Sequence, residues 1–191
     1  PQALAVLPKL GFVGVNVTIP HKEAVLKLAH IVTDRAALIG AANTLIFRED
    51  GKIYADNTDG VGFMANLQQL APKWQATQGP AALFGAGGAA RAVIAALIEA
   101  GIPEIRIANR TRLRAEVLQA DFGARVVVYD WLRAGDMVQG AALVINATSL
   151  GMTGKPDLRL PLDQLEVGAV ATDLVYTPLM TPFLIEAQSR G

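Results

Sequence analysis

Three polar clusters interrupt apolar stretches in the first third of the chain: "NVTIPHK" at 16–22, "GAANTL" at 40–45 and "ADNTDG" at 55–60. Each falls at a strand edge or a strand–helix junction. If those strands share a sheet, Thr18, Lys22, Asn43 and Asp59 converge at one mouth. A lysine there can exchange the proton of a hydroxyl while a hydride moves to or from the carbon that bears it. A carboxylate beside it holds the ammonium in place and can accept a substrate hydroxyl. Asn and Thr add neutral donors and acceptors suited to a polyhydroxylated substrate. Singly, each has a plainer reading: Lys22 as a solvated first-turn lysine, Asn43 and Asp59 as turn or cap residues. His21 reads as a solvated bystander.

Hydride chemistry needs a carrier, and the second half offers a place for one. "ALFGAGGAARAVIAAL" at 82–97 puts Gly85, Gly87 and Ala90 in the G-x-G-x-x-G/A pattern, after a β run and at the start of an apolar helix. Glycines there let the backbone approach a pyrophosphate at the helix N-terminus. The next β run ends "IANRTRLR", with Asn109, Arg110, Thr111, Arg112 and Arg114 and no acid before Glu116. An NAD site normally offers Asp or Glu here for the ribose 2′-hydroxyl. Guanidinium groups suit a 2′-phosphate instead, so the cofactor expected is NADP. The plainer alternative is a solvated basic helix start, although cations at a helix N-terminus oppose its dipole. After the run at 142–145, Asn146, Thr148 and Ser149 lie where doubly wound folds bind ligands, and could line the nicotinamide end or form an ordinary turn.

The elements that must position these residues follow from the patterning. "PQALAVLPKL" reads as a helix tail interrupted near Pro8, and "GFVGVNV" as a strand followed by a helix from about Pro20. "TDRAALIGA" reads as a helix capped by Thr33 and stopped at Gly40. "NTLIFRE" and "KIYADN" flank "EDG" as a hairpin, and Thr58 to Leu70 has helical spacing. From there strands at 81–84, 105–108, 125–128, 142–145 and 169–175 alternate with helical segments, which predicts a parallel sheet with right-handed crossovers. The expected fold is α/β: a doubly wound, Rossmann-type NADP-binding domain over 79–191, a partial N-terminal α/β substrate-binding and catalytic domain over 1–58, and a connecting helix and linker over 59–78.

Composition narrows the function. Of 191 residues, 52% are hydrophobic and only 6% aromatic, with 17 basic against 17 acidic side chains. A net charge of zero supplies no field for nucleic acid. The absence of cysteine excludes disulfides and thiolate chemistry, and two histidines are too few for a His-based zinc site. With no signal-like segment and no apolar run of membrane-spanning length, the expectation is a cytoplasmic protein without membrane contact.

Together "NVTIPHK", "GAANTL", "DNTDGVGF", "GAGGAAR", "NRT", "INATSLGM" and "DLVYTPLMTPFL" resemble shikimate dehydrogenase in order and approximate spacing, over nearly the whole chain. The resemblance implies NADP-dependent reduction of 3-dehydroshikimate to shikimate in aromatic amino-acid biosynthesis, by a monomer or homodimer. It implies Lys22 as the catalytic lysine with Asp59 as its partner, and Thr18, Asn43 and Tyr176 as further substrate contacts. It gives Gly85, Ala86, Gly87, Gly88 and Ala89 to the phosphate loop, Asn109, Arg110, Thr111 and Arg114 to the 2′-phosphate, and Asp34 and Leu174 to further cofactor contacts. Family members also begin with a strand and a serine pair that binds the substrate carboxylate. They end with a Gly-rich segment and a helix whose glutamine reaches the substrate. The resemblance thus implies that the chain is the middle of a longer enzyme, lacking the last strand of its cofactor fold. Two other readings remain: a quinate/shikimate dehydrogenase paralogue, which usually carries an acid after the second strand, and a non-catalytic NADP-binding fragment. Glutamyl-tRNA reductase has a similar glycine loop but needs a nucleophilic cysteine, which is absent here.

Overall fold

The computed structural model describes residues 2–191. The first helix α1 (Gln2–Val6) passes into a 3-10 turn, Leu7–Leu10, which closes at Gly11 with φ 84°. Strands β1 (Gly14–Asn16), β2 (Ile31–Val32), β3 (Thr44–Phe47) and β4 (Ile53–Asp56) form one sheet in the order β1-β3-β4-β2. The β3–β4 hairpin closes where expected: Gly51, at φ 79°, donates its N–H to the Arg48 carbonyl, and Asp50 accepts from Lys52 N. Between β2 and β3 runs α2 (Asp34–Ile39). Thr33 caps it by accepting from Ala36 N at 3.1 Å, and Gly40 ends it at φ 72°.

The helix expected from Pro20 does not form there. The Ile19–Pro20 peptide is cis, residues 18–21 make a turn, and only a 3-10 turn follows at Ala24–Leu28. The Lys22 carbonyl explains the difference. It accepts from Ala42 N at 2.8 Å, so it is spent on the segment leading into β3 rather than on the next helical turn.

Helix α3 (Asp59–Leu70) leads out of β4 to the second sheet. The segment after it is not wholly irregular: Ala76–Gln78 is a 3-10 turn closed by reciprocal bonds between Gln75 and Gln78, with Ala76 buried. Then β5 (Ala81–Phe84), α4 (Gly88–Glu99), β6 (Ile105–Ala108), α5 (Arg112–Phe122), β7 (Val126–Val128), α6 (Ala134–Val138), β8 (Leu143–Asn146), β9 (Val170–Asp173) and α7 (Pro182–Ser189) follow. The five strands pair in parallel throughout, in the order β7-β6-β5-β8-β9. All four residues of β5 and of β8 are buried, which is why their sequences are continuous apolar runs rather than alternations.

Each face of this sheet carries its own core. Val93, Ile94 and Leu97 of α4, Leu118 of α5 and Phe63 and Leu67 of α3 pack on one side. Met137 and Val138 of α6 and Phe183 of α7 pack on the other, where Phe84 meets Trp131 edge-on at 6.1 Å. Helices α3 and α4 cross closely at Gly60, where a Cβ would stand 2.9 Å from the Ala92 carbonyl oxygen. That crossing brings the start of α3, which leaves the first sheet, against the glycine-loop helix of the second.

Candidate active site

A cleft of about 670 Å³ opens between the two sheets, at the carboxyl ends of β5, β6 and β8. From the N-terminal side it is lined by Thr18, Ile19, Lys22, Asp59 and Phe63. Lys22 follows β1, Asn43 precedes β3 and Asp59 opens α3. The Val17 N–H to Asn43 carbonyl bond (2.7 Å) and the Ala42 to Lys22 bond hold these segments in register. Lys22 Nζ lies 2.7 Å from Asp59 Oδ2, with the two side chains 13% and 23% exposed. The pair is therefore sheltered enough to keep its geometry and open enough to meet a ligand. Asp59 Oδ1 accepts from Asn43 Nδ2 at 2.9 Å, and Asn43 also bonds Thr58 through Nδ2 and Oδ1.

Behind this cluster sits Asn57, which is fully buried. Its Nδ2 donates to the Ala41 carbonyl at 2.8 Å and its Oδ1 accepts from Asp59 N at 3.0 Å. It ties the segment before β3, which carries Asn43, to the helix start carrying Asp59. The motif "DNTD" contains it, but nothing in the sequence separates its buried role from an exposed turn.

One residue earlier, Asp56 accepts from Thr33 Oγ1 (2.8 Å), from Asn57 N (2.7 Å) and from Arg35 in two bonds (2.6 and 3.3 Å). Burial pushes this carboxyl up. The hydrogen bonds from Arg35, Thr33 and Asn57, with the Arg35 charge, outweigh burial and leave it below the ordinary carboxylate value.

The opposite wall is the glycine loop. Gly85 has φ 112°, and a Cβ on it would stand 2.8 Å from the Ala147 carbonyl, so both turn and packing require glycine. A Cβ at Gly87 would meet nothing within 4 Å: that position faces open cleft. No side chain caps the N-terminus of α4, so its first N–H groups have no side-chain partner at the cap. An uncapped helix N-terminus beside an open glycine is a general setting for holding a phosphate group.

Further along the rim, Asn109 and Arg114 line the cleft. Asn109 Nδ2 bonds the Thr111 carbonyl at 2.9 Å, shaping the step into α5. That helix has no acid in its first turn, and Thr111 makes no side-chain cap bond. Arg112 pairs with Glu116 at 2.8 Å, whereas no ion pair engages Arg110 or Arg114 among the described residues.

The remaining wall comes from the loops after β8 and β9, with Ala147, Thr148, Ser149, Met152, Leu174, Val175 and Tyr176. Asn146 is not part of that wall. It is buried and donates to Asp173 Oδ1 (2.9 Å) and to the Leu150 carbonyl (3.0 Å), while accepting from Thr148.

Of the residues singled out in the sequence, Thr18, Lys22, Asp59, Gly85, Ala86, Gly87, Ala89, Asn109, Arg114, Leu174 and Tyr176 line this one cleft. Asn43 reaches it through Asp59. Gly88 is buried beneath Lys22. Arg110 and Thr111 are exposed beyond the lining, and Asp34 lies exposed in the first turn of α2, apart from it. The apolar wall residues Ile19, Phe63, Val93 and Met152 carry no chemical signal in the sequence, because packing alone distinguishes them.

A second cleft, about 580 Å³, lies at the amino ends of β8 and β9 beside Lys73, Trp74 and Glu166. Among the described residues there is no cluster of three metal-ligating side chains, and no helix long and apolar enough to cross a membrane.

Comparison with known proteins matches residues 1–45 to the shikimate dehydrogenase substrate binding domain, and residues 67–152 to the shikimate / quinate 5-dehydrogenase family. The chain is 68% identical over 190 residues to the shikimate dehydrogenase (NADP(+)) of Paracoccus denitrificans, covering 100% of this chain and 67% of that protein. It is equally similar to that of Cereibacter sphaeroides, covering 68% of it. It thus spans about two thirds of the length of these relatives. Among solved structures, shikimate 5-dehydrogenase from Thermus thermophilus, in complex with NADP(H) and shikimate, superposes with a TM-score of 0.85 at 39% identity, over 100% of this chain and 69% of that one. Quinate dehydrogenase from Corynebacterium glutamicum, in complex with NAD, gives 0.89 at 31%, over 100% and 68%.

Proposed function

The chain belongs to the shikimate dehydrogenase family, and from that premise we propose that its cleft reduces 3-dehydroshikimate to shikimate, with Lys22 delivering the proton. The observation that carries this reading is the 2.7 Å contact of Lys22 Nζ with Asp59 Oδ2 in a cleft whose other wall is a glycine loop. Bound NADPH supplies the hydride. As the carbonyl carbon accepts it, the oxygen gains negative charge, and an N–H of Lys22 protonates that oxygen to give the hydroxyl. Asp59 keeps the ammonium aimed. Thr18 and Tyr176, the latter 81% exposed, line the same cleft and Asn43 bonds Asp59, which supports a role for all three in contacting the substrate hydroxyls.

The residues present fit a dinucleotide phosphate: an open cradle at Gly87, an uncapped α4 N-terminus, and Arg114 on the rim. The acid-free strand end at Asn109–Thr111 supports NADP rather than NAD. It also supports the shikimate reading over the quinate one.

Lys22→Ala tests the assignment in the full-length protein. The turnover number should fall about 10²- to 10⁴-fold while NADPH affinity is retained. Turnover near the parental rate overturns the lysine's role, and a clear preference for NADH overturns the cofactor reading.

A further inference from the structure

Two adjacent glycines in the loop do different work. At Gly87 a Cβ would meet nothing within 4 Å, but at Gly88 it would stand 3.0 Å from Lys22 Cβ and 3.5 Å from both Lys22 Cδ and Ala41 Cβ. Gly88 also stands outside the Gly85, Gly87, Ala90 spacing. It is buried, and it does not line the cleft.

We propose that Gly88 is a positioning residue for Lys22, required as glycine by the lysine stem that rests on it rather than by a phosphate. The phosphate end of the cofactor site and the proton-transfer residue then meet directly, backbone against side chain.

Both sides of the contact are tethered. The Lys22 carbonyl is held by Ala42 N at 2.8 Å, and its Nζ by Asp59 at 2.7 Å. Across the contact, Arg91 in the same first turn of α4 reaches past Gly40 to bond the Ile39 carbonyl, and pairs with Asp121 at 2.6 Å. A Cβ at Gly40 would lie 2.6 Å from the Arg91 guanidinium, so that bond also depends on a missing side chain. The helix start is thus fastened to the stretch that holds Lys22. An added methyl at 88 must displace the lysine stem by a few tenths of an ångström, against its tether to Asp59.

The inference rests on the proposed role of Lys22, and its test separates the two. In the full-length protein, Gly88→Ala should lower the turnover number about tenfold or more, since small misplacements of reacting groups are costly. NADPH affinity should stay within about twofold. Gly87→Ala, which intrudes on the cradle, should instead weaken NADPH binding. Melting temperatures supply a readout independent of catalysis: Gly88→Ala should lower it when Lys22 is present, and not in a Lys22→Gly background, where the opposing Cβ is gone. If Gly88→Ala fails to fold alone, recovery of folding in the Lys22→Gly background supports the contact. The inference is overturned if Gly88→Ala weakens NADPH as Gly87→Ala does while sparing turnover, or if its melting penalty persists without the Lys22 side chain. Should Lys22→Ala retain activity, the proton-transfer role fails, but the coupling of 22 and 88 in melting still decides the contact.

Discussion

Asp59 divides its carboxylate between two partners: Oδ2 receives Lys22 Nζ at 2.7 Å, and Oδ1 receives Asn43 Nδ2 at 2.9 Å. Its own N–H is fixed by Asn57, so carboxylate, lysine and amide form one rigid unit at the junction of the two sheets. In the proposed reaction a carboxylate held this way aims the lysine. It accepts from both neighbours and leaves the other N–H bonds of the ammonium for a ligand.

Asp59→Asn preserves shape but removes the charge that holds Lys22. We expect turnover to fall about 10²-fold with NADPH affinity within about twofold, measured by steady-state kinetics and cofactor titration. A variant that keeps its turnover would show that Lys22 needs no ionic partner.

Much of this unit was legible in the sequence because its members are polar residues at element ends, where such types stand out against apolar runs. The parallel sheet was legible for the same reason: "AALF" and "ALVI" are too continuous for a half-exposed strand. What was not legible depends on distant partners. The helix placed at Pro20 was lost because Ala42 claims the Lys22 carbonyl. For Asn146 the sequence leaves cleft lining and an ordinary turn equally open, and the side chain turns inward because Asp173, 27 residues away, takes its amide. Gly88 read as one more loop glycine, because Lys22 and Ala41 reach it from the other sheet.

Arg114 lines the cleft on the α5 side, where we propose that the cofactor's 2′-phosphate binds, and no carboxylate pairs with it among the described residues. Arg114→Ala should weaken NADPH about tenfold or more while changing NADH little, because a guanidinium discriminates by its bonds to the extra phosphate. Titrating both cofactors against the variant checks this. Equal losses for the two would place the 2′-phosphate elsewhere, with the exposed Arg110 the next candidate.

Asp56 gives the fold an acid-sensitive joint. Its carboxyl lies below the ordinary 3.8 in the folded protein, so its contribution is complete above 3.8 and is lost as pH falls through the lower folded value. Asp56→Asn removes that titration and the pairing with Arg35. We expect it to cost about 1–2 kcal/mol near neutral pH, with the gap to the parent constant down to about pH 5 and closing below pH 3.8. Urea denaturation of both proteins across this range measures it. A gap that stays constant below pH 3 would show that the carboxylate's charge contributes nothing.

Asp173 ends β9 and accepts three hydrogen bonds: Asn146 Nδ2 (2.9 Å) and Val175 N (2.8 Å) on Oδ1, and the Thr181 hydroxyl (2.7 Å) on Oδ2. Asn146 and Thr181 are both fully buried. Through them one carboxylate fixes the loop after β8 and the loop after β9, which together form one wall of the cleft. Two substitutions separate its charge from its acceptor count. Asp173→Asn keeps an oxygen for the two N–H donors and turns an amide toward Thr181, whose hydroxyl can rotate to accept it. It should cost about 1 kcal/mol. Asp173→Ala leaves all three donors short of a partner and should cost about 2–4 kcal/mol, with NADPH binding weakened as the wall loosens. Denaturation and cofactor titration of the two variants provide the check. If Asn is as damaging as Ala, the carboxylate acts through its charge rather than as a hub of acceptors.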